Sequence, residues 1–269
     1  MKNQKDNVFF MGQGAPVVLL HSAMSSKLQW YFLMRLLSSD FLTVALDFYG
    51  SGGTPLPDIN SEVFSLSDEI ALVDSLLDGI VPAGEPFHLV GHSYGGAVGL
   101  RLCYKNEKQI RSLTLFEPVA YHLLPETEEV LAEIRRTSGT VKDYIAQNNY
   151  AGAAEYFIDY WNGSGTFATY PKEMQEILCR GAGKMPLSYH ALMEEPLSLE
   201  DYKKINVPVC LIAGRQSPLA SRRVAELLVD ILPNCRLHWL DTGHMAPLTH
   251  PHKVNPIIET FIRQVESTK

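Results

Sequence analysis

Short runs of apolar residues alternate along this chain with segments whose apolar positions recur every three or four residues. The short runs fall at 8–11, 17–20, 42–46, 87–90, 113–116, 207–213 and 236–240. Most are apolar at nearly every position, the pattern of strands covered on both faces of a parallel sheet. The run at 8–11 is read as an antiparallel edge strand. Helical periodicity occupies 28–37, 65–77, 97–106, 222–231 and 254–265. This alternation predicts an α/β fold, a mostly parallel central sheet with helices on both faces. The stretch 119–199 breaks the rhythm. It carries helical patterns, such as 128–136 and 141–160, but no strand pattern, and it is rich in aromatics, including Tyr121, Tyr156, Tyr160, Trp161 and Tyr189. Helices inserted between two core strands are expected to lie over the C-terminal edge of the sheet, where open α/β sheets bind ligands. The chain therefore divides into a first core part (1–118), a helical lid (119–199) and a second core part (200–269). Most lid aromatics are expected to hold its helices together, and a minority to line a pocket.

Composition narrows the partners. At 269 residues the chain can form one large domain or a domain with an insertion. A net charge of −7 without any basic run disfavours nucleic acid and anionic membranes. No apolar run approaches a membrane span, and residues 1–7 lack the apolar core of a secretory signal. Cys103, Cys179, Cys210 and Cys235 show no metal-ligand spacing, and Cys103 and Cys210 sit inside apolar patterns where a free thiol acts as a small hydrophobe. No dinucleotide-binding loop is visible. The expectation is a reduced, cytoplasmic protein that acts on a small molecule without metal or cofactor. Its oligomeric state is left open.

The candidate chemistry centres on Gly91-His92-Ser93-Tyr94-Gly95-Gly96, which joins the strand pattern at 87–90 to a helical pattern. A serine in so sharp a strand-to-helix turn has its hydroxyl lifted clear of the sheet, and the flanking glycines leave room for the backbone. The following helix aims its free N–H groups at that serine. Downstream, Thr242-Gly243-His244-Met245 follows the last strand pattern and offers an imidazole as base.

Four landmarks in this order resemble the α/β-hydrolase superfamily, over nearly the whole chain except the lid. They are Leu19-Leu20-His21-Ser22-Ala23-Met24, Asp47-Phe48-Tyr49-Gly50-Ser51-Gly52-Gly53-Thr54, the serine turn, and the His244 loop. The look is that of small lid-bearing, esterase-like members. The resemblance implies a sheet of about eight strands with the lid inserted after the sixth. It also implies a serine hydrolase that cleaves a carboxylic ester or similar small acyl compound through an acyl-enzyme. Ser93 would be the nucleophile and His244 the base, with the backbone N–H groups of Tyr94 and Ala23 forming the oxyanion hole. Ser22 stands where the family usually has glycine, and its hydroxyl either helps that hole or only caps the turn. His21 and His92 are expected to bond to backbone, His250 and His252 to be exposed, and Asp47 to organise its own turn. The lid aromatics suggest an apolar or aromatic substrate. The Ser93 nucleophile argues against haloalkane dehalogenase and epoxide hydrolase chemistry, which use aspartate. Carbon–carbon bond hydrolases and cofactor-free lyases share the fold and triad and stay open.

The acid departs from the family pattern. Aspartate is usual a few residues after the seventh strand, but this stretch reads Gly214-Arg215-Gln216-Ser217-Pro218. A hydroxyl cannot stabilise an imidazolium as a carboxylate does. Glu117, directly after the strand pattern at 113–116, is favoured as the acid because its place matches members whose acid follows the sixth strand. Its alternative role is a salt bridge or lid docking. Asp241 and Asp201 are the remaining candidates. An inactive small-ligand-binding protein is the competing reading, resting on Ser217.

Overall fold

The computed structural model describes residues 4–60 and 63–268. Seven strands form one sheet: β1 (Val8–Met11), β2 (Ala15–Leu20), β3 (Phe41–Leu46), β4 (Phe87–His92), β5 (Ile110–Phe116), β6 (Val209–Gly214) and β7 (Cys235–Leu240). Their spatial order is β1-β3-β2-β4-β5-β6-β7. Only β1 runs antiparallel, paired to β3 with Val8 opposite Leu46; the other pairs are parallel.

Both faces of the sheet are covered, which explains the unbroken apolar runs. On β2, Val17 and Leu19 join one core cluster while Val18 and Leu20 join the other, and all four are fully buried. The first cluster packs under α1 (Tyr31–Leu37) and α12 (Pro251–Ser267), through Leu33, Met34, Val254 and Ile258. The second packs under α2 (Leu66–Leu77), α3 (Tyr94–Lys105) and α10 (Leu219–Ile231), through Ile70, Val73, Val98 and Val224. The edge strand β7 is only partly covered, because nothing pairs on its outer side among the described residues.

Seven strands are described where about eight were expected, and the helical insert leaves after the fifth. The described residues before β1, Gln4–Asn7, form a 3-10 turn. The insert contains α4 (Glu129–Ala146), α5 (Tyr150–Asn162), α6 (Thr166–Thr169), α7 (Lys172–Ala182), α8 (Met185–Met193) and α9 (Leu199–Tyr202), and no strand. The periodicity at 141–160 reads as one helix but is broken in the structure. Asn148 takes a positive φ of 57°, and the Asn149 side chain accepts the Gly152 N–H at 2.9 Å to start α5 afresh. No helix among the described residues is long and apolar enough to cross a membrane. All four cysteines are free thiols.

Candidate active site

Three strand ends deliver the site. Ser93 follows β4 with φ 55° and ψ −116°, a conformation tolerated because its neighbours lock it in place. The Ser93 N–H donates to the Phe116 carbonyl at 2.9 Å, and the Gly95 N–H to the His21 carbonyl at 3.1 Å. A β-carbon on Gly91 would come within 2.4 Å of the Gly95 carbonyl oxygen, and one on Gly95 within 2.5 Å of two carbonyl oxygens of β2 and its following turn. Both positions therefore demand glycine for space, whatever their φ.

Glu117 follows β5, also at positive φ (43°), and is fully buried. Its N–H continues the β5–β6 ladder to the Ile212 carbonyl at 3.0 Å. Its carboxylate then turns inward. Oε1 accepts the Gly214 N–H at 2.5 Å and Oε2 contacts His244 Nδ1 at 2.5 Å. His244 Nε2 lies 2.9 Å from Ser93 Oγ. With Nδ1–H donated to the carboxylate, Nε2 is the unprotonated nitrogen and accepts the serine hydroxyl. The imidazole is 2% exposed. Its loop is pinned by the Gln216 N–H, which donates to the Thr242 carbonyl at 3.0 Å.

The structure separates the rival acids from this imidazole. Asp241 is solvent-exposed and pairs with Arg215 at 3.4 Å, and Asp201 caps α9 together with Ser198. Ser217 is buried, but its hydroxyl has no partner among the described residues. Asp47 is fully buried, binds the Lys27 side chain and accepts the Lys27 N–H at 2.7 Å. It fills the space a β-carbon on Gly52 would need, so it organises its own turn.

The turn after β2 is held by a residue that the pattern of the sequence did not single out. Gln29 Oε1 accepts both the Ser22 N–H (3.0 Å) and the Ser22 hydroxyl (2.9 Å), while its amide nitrogen meets His92 Nδ1 at 3.1 Å. The Ser22 hydroxyl is thus committed to Gln29 and is not the helper of an oxyanion hole. His92 Nε2 then donates to the His244 carbonyl at 2.9 Å. His21 Nδ1 donates to the Ser22 carbonyl at 2.7 Å, and its Nε2 accepts the Phe48 N–H at 3.2 Å. Burial holds His92 well below its ordinary range and pushes His21 down to about 4, so both are neutral struts. The N–H groups of Ala23 and Tyr94 donate to no other described residue. Both residues line a narrow cleft with a volume of about 10 Å³, together with Met24, Phe48, Lys184, Met185 and Ser188.

The insert closes over this site. Trp161 of α5 stacks on the His244 ring, with centroids 4.2 Å apart and planes 30° from parallel. Lys184, just before α8, is buried, pairs with Glu69 of α2, and lies 4.7 Å from the centroid of the Tyr94 ring. The Tyr94 hydroxyl donates to the same Glu69 oxygen at 3.1 Å. Burial lowers the Lys184 pKa and raises that of Tyr94. Isolated polar residues such as Glu69 and Lys184 give no pattern that would have revealed this knot beforehand.

Known proteins give the site its context. Human monoacylglycerol lipase ABHD6 is 23% identical over 96% of this chain and 78% of its own. A cis-3-alkyl-4-alkyloxetan-2-one decarboxylase of Shewanella oneidensis is 29% identical over 95% of this chain and 84% of its own. Among solved structures, a thermophilic esterase from Thermogutta terrifontis superposes with a TM-score of 0.75 at 20% identity, covering 96% of this chain and 93% of that one. The model of the alpha/beta hydrolase family matches residues 17–257, nearly the whole fold described above, and the chain belongs to that family.

Proposed function

We propose that this protein hydrolyses carboxylic esters through an acyl-enzyme formed on Ser93. The observation that carries the reading is the continuous line Ser93 Oγ–His244 Nε2 and His244 Nδ1–Glu117 Oε2, at 2.9 and 2.5 Å, buried from water. As Ser93 Oγ attacks the carbonyl carbon, His244 Nε2 takes its proton and becomes cationic. Glu117 stabilises that cation, and the Gly214 N–H keeps the carboxylate in place. The oxyanion develops between the unpartnered N–H groups of Tyr94 and Ala23, donors typically worth about 3 to 4 kcal/mol each. His244 returns the proton to the leaving alkoxide. In the second half, His244 deprotonates a water that attacks the acyl-enzyme, releasing the acid and restoring Ser93.

The narrow cleft beside Tyr94 is lined by Ala23, Met24, Phe48 and Met185 together with Ser51, Lys184 and Ser188, a mixed lining whose apolar part suits a small acyl group. The segment 119–199 serves as a lid on a core made of 1–118 and 200–269. A relative named as a lipase and a fold neighbour named as an esterase agree with ester chemistry. The inactive-binder reading loses its support, because Glu117 supplies the carboxylate that Ser217 lacks. A fluorophosphonate probe is expected to label the wild type at Ser93, with no labelling after Ser93→Ala. p-Nitrophenyl esters of increasing acyl length should then be turned over with an optimum set by the cleft. A folded wild type that neither labels nor turns over these esters would reject the reading.

A further inference from the structure

Gln29 touches no reacting atom, yet it meets both devices that the reaction needs. It lies on the 3-10 helix Lys27–Trp30 and is 6% exposed. Its Oε1 accepts the Ser22 N–H at 3.0 Å and the Ser22 hydroxyl at 2.9 Å, and its Nε2 meets His92 Nδ1 at 3.1 Å. A backbone N–H can only donate, so Ser22 dictates which end of the amide faces the turn. The amide nitrogen, also a donor only, is left for His92. The ring is neutral because burial holds it well below its ordinary range, so Nδ1 accepts and its one proton stands on Nε2. That proton goes to the His244 carbonyl at 2.9 Å, an acceptor that asks for the same tautomer.

The bonds therefore run from the oxyanion turn to the base. The Ala23 N–H shares a peptide with the Ser22 carbonyl, which His21 Nδ1 holds at 2.7 Å. Gln29 holds the peptide before it through the Ser22 N–H. Met24, next in the turn, takes a positive φ of 54°, which a residue with a side chain keeps only where its surroundings impose it. At the far end, His92 grips the peptide of the residue that carries the base. We propose that Gln29 is a positioning residue: it locks the Ala23 oxyanion donor and the His244 base into one frame, through Ser22 on one side and the Nε2–H tautomer of His92 on the other. This rests on the acyl-transfer reading of Ser93, His244 and Glu117, and it deepens that reading by naming the side chain that keeps its two halves in register.

The test is Gln29→Glu, which keeps the shape and still accepts both Ser22 donors. Its carboxylate cannot donate to His92. The single ring proton is drawn to Nδ1, and Nε2 then turns a lone pair on the His244 carbonyl. An added proton, shared between the carboxyl group and Nδ1, restores every bond of the wild type. With p-nitrophenyl butyrate, kcat is therefore expected about tenfold to hundredfold below wild type at alkaline pH, with KM within about threefold, and to approach wild type as the pH is lowered. His21 and His244, the titratable groups that act on the ring, are present in both proteins and cancel in that ratio. A side chain that only filled space would give a ratio that ignores pH. A second measurement needs no variant: nitrogen-15 NMR of the imidazoles should find wild-type His92 protonated at Nε2 alone. His92 protonated at Nδ1 in wild type, a folded Gln29→Glu whose kcat ratio does not change with pH, or a loss carried by KM overturns the proposal. Wild type that the fluorophosphonate labels at Ser93 but that fails these tests rejects this inference alone. Wild type that does not label rejects the acyl-transfer reading, and this inference with it.

Discussion

Ser93, Glu117 and His244 stand on turns that leave β4, β5 and β7, whereas Trp161 and Ser188 come from helices of the insert and Lys184 from the turn before α8. In the first region the side chains are aimed by backbone. Two of the three residues sit at positive φ, and peptide N–H or carbonyl groups of neighbouring strands fix both. In the second region aim comes from side-chain packing alone: an indole on an imidazole, and a lysine on a glutamate and two aromatic rings. Backbone-held groups keep sub-ångström geometry, which bond making requires. Side-chain-held groups can change without disturbing that geometry, so selectivity can vary over a constant reaction centre.

Two fully buried carboxylates sharpen the contrast, Glu117 in the strand-end region and Glu69 facing the insert. Glu117→Gln keeps the shape and removes the charge that stabilises the imidazolium. Its kcat is expected to fall about 10⁴-fold with the melting temperature little changed. Activity within tenfold of wild type would break the assignment of the acid. Lys184→Met acts on the other carboxylate and leaves the buried Glu69 without its cation, with the Tyr94 hydroxyl still donating to it. Its cost should appear as stability, about 3 to 5 kcal/mol in urea unfolding, and Lys184→Met with Glu69→Gln should recover most of it. A double variant no more stable than the single would show that the pair is not a unit.

The neutral histidine struts give a pH test of the backbone-held region. His21 titrates near 4 when folded and near its ordinary 6.5 when unfolded. Between those values the unfolded chain binds the extra proton, so stability is lost as pH falls from 6.5 towards 4, by about 3 kcal/mol for this residue. His92 is shifted in the same direction and steepens the loss. Thermal unfolding followed across that window should show it, and His21→Asn should flatten the slope. The smallest expected effect is a rescue. Introducing Ser217→Asp into Glu117→Gln places a carboxylate at the buried, unpartnered position beside Gly214. It should regain about tenfold in kcat over Glu117→Gln alone. No gain would show that this position cannot reach the imidazole.

Local pattern was enough to locate most of the fold. The strand at Val8–Met11 coincides with its apolar run, and the other six strands differ from theirs by one to three residues at an end. These signals are strong because strands covered on both faces leave almost no polar residue to blur them. The serine turn was legible for the same local reason: its glycines and its strand-to-helix setting are contiguous in the chain. The break at Asn148 was not, since a single left-handed residue leaves no gap in the hydrophobic period. Gln29, Glu69 and Lys184 were hidden altogether. Each is an ordinary polar residue until folding removes the water that would otherwise satisfy it.

The sequence by itself determined the alternating architecture, the place of the insert, and the candidate nucleophile and base, Ser93 and His244, because each is written in adjacent residues. Among the carboxylates it favoured Glu117 as the acid over Asp241 and Asp201, on the resemblance to members whose acid follows the sixth strand. Only the tertiary structure decided that the Glu117 carboxylate meets His244 while Asp241 faces solvent, 127 residues separating the paired side chains. It alone set an indole nitrogen from the insert, lacking an acceptor, against the imidazole. Such meetings depend on which strand ends lie side by side and which helix covers them, and no local pattern records that.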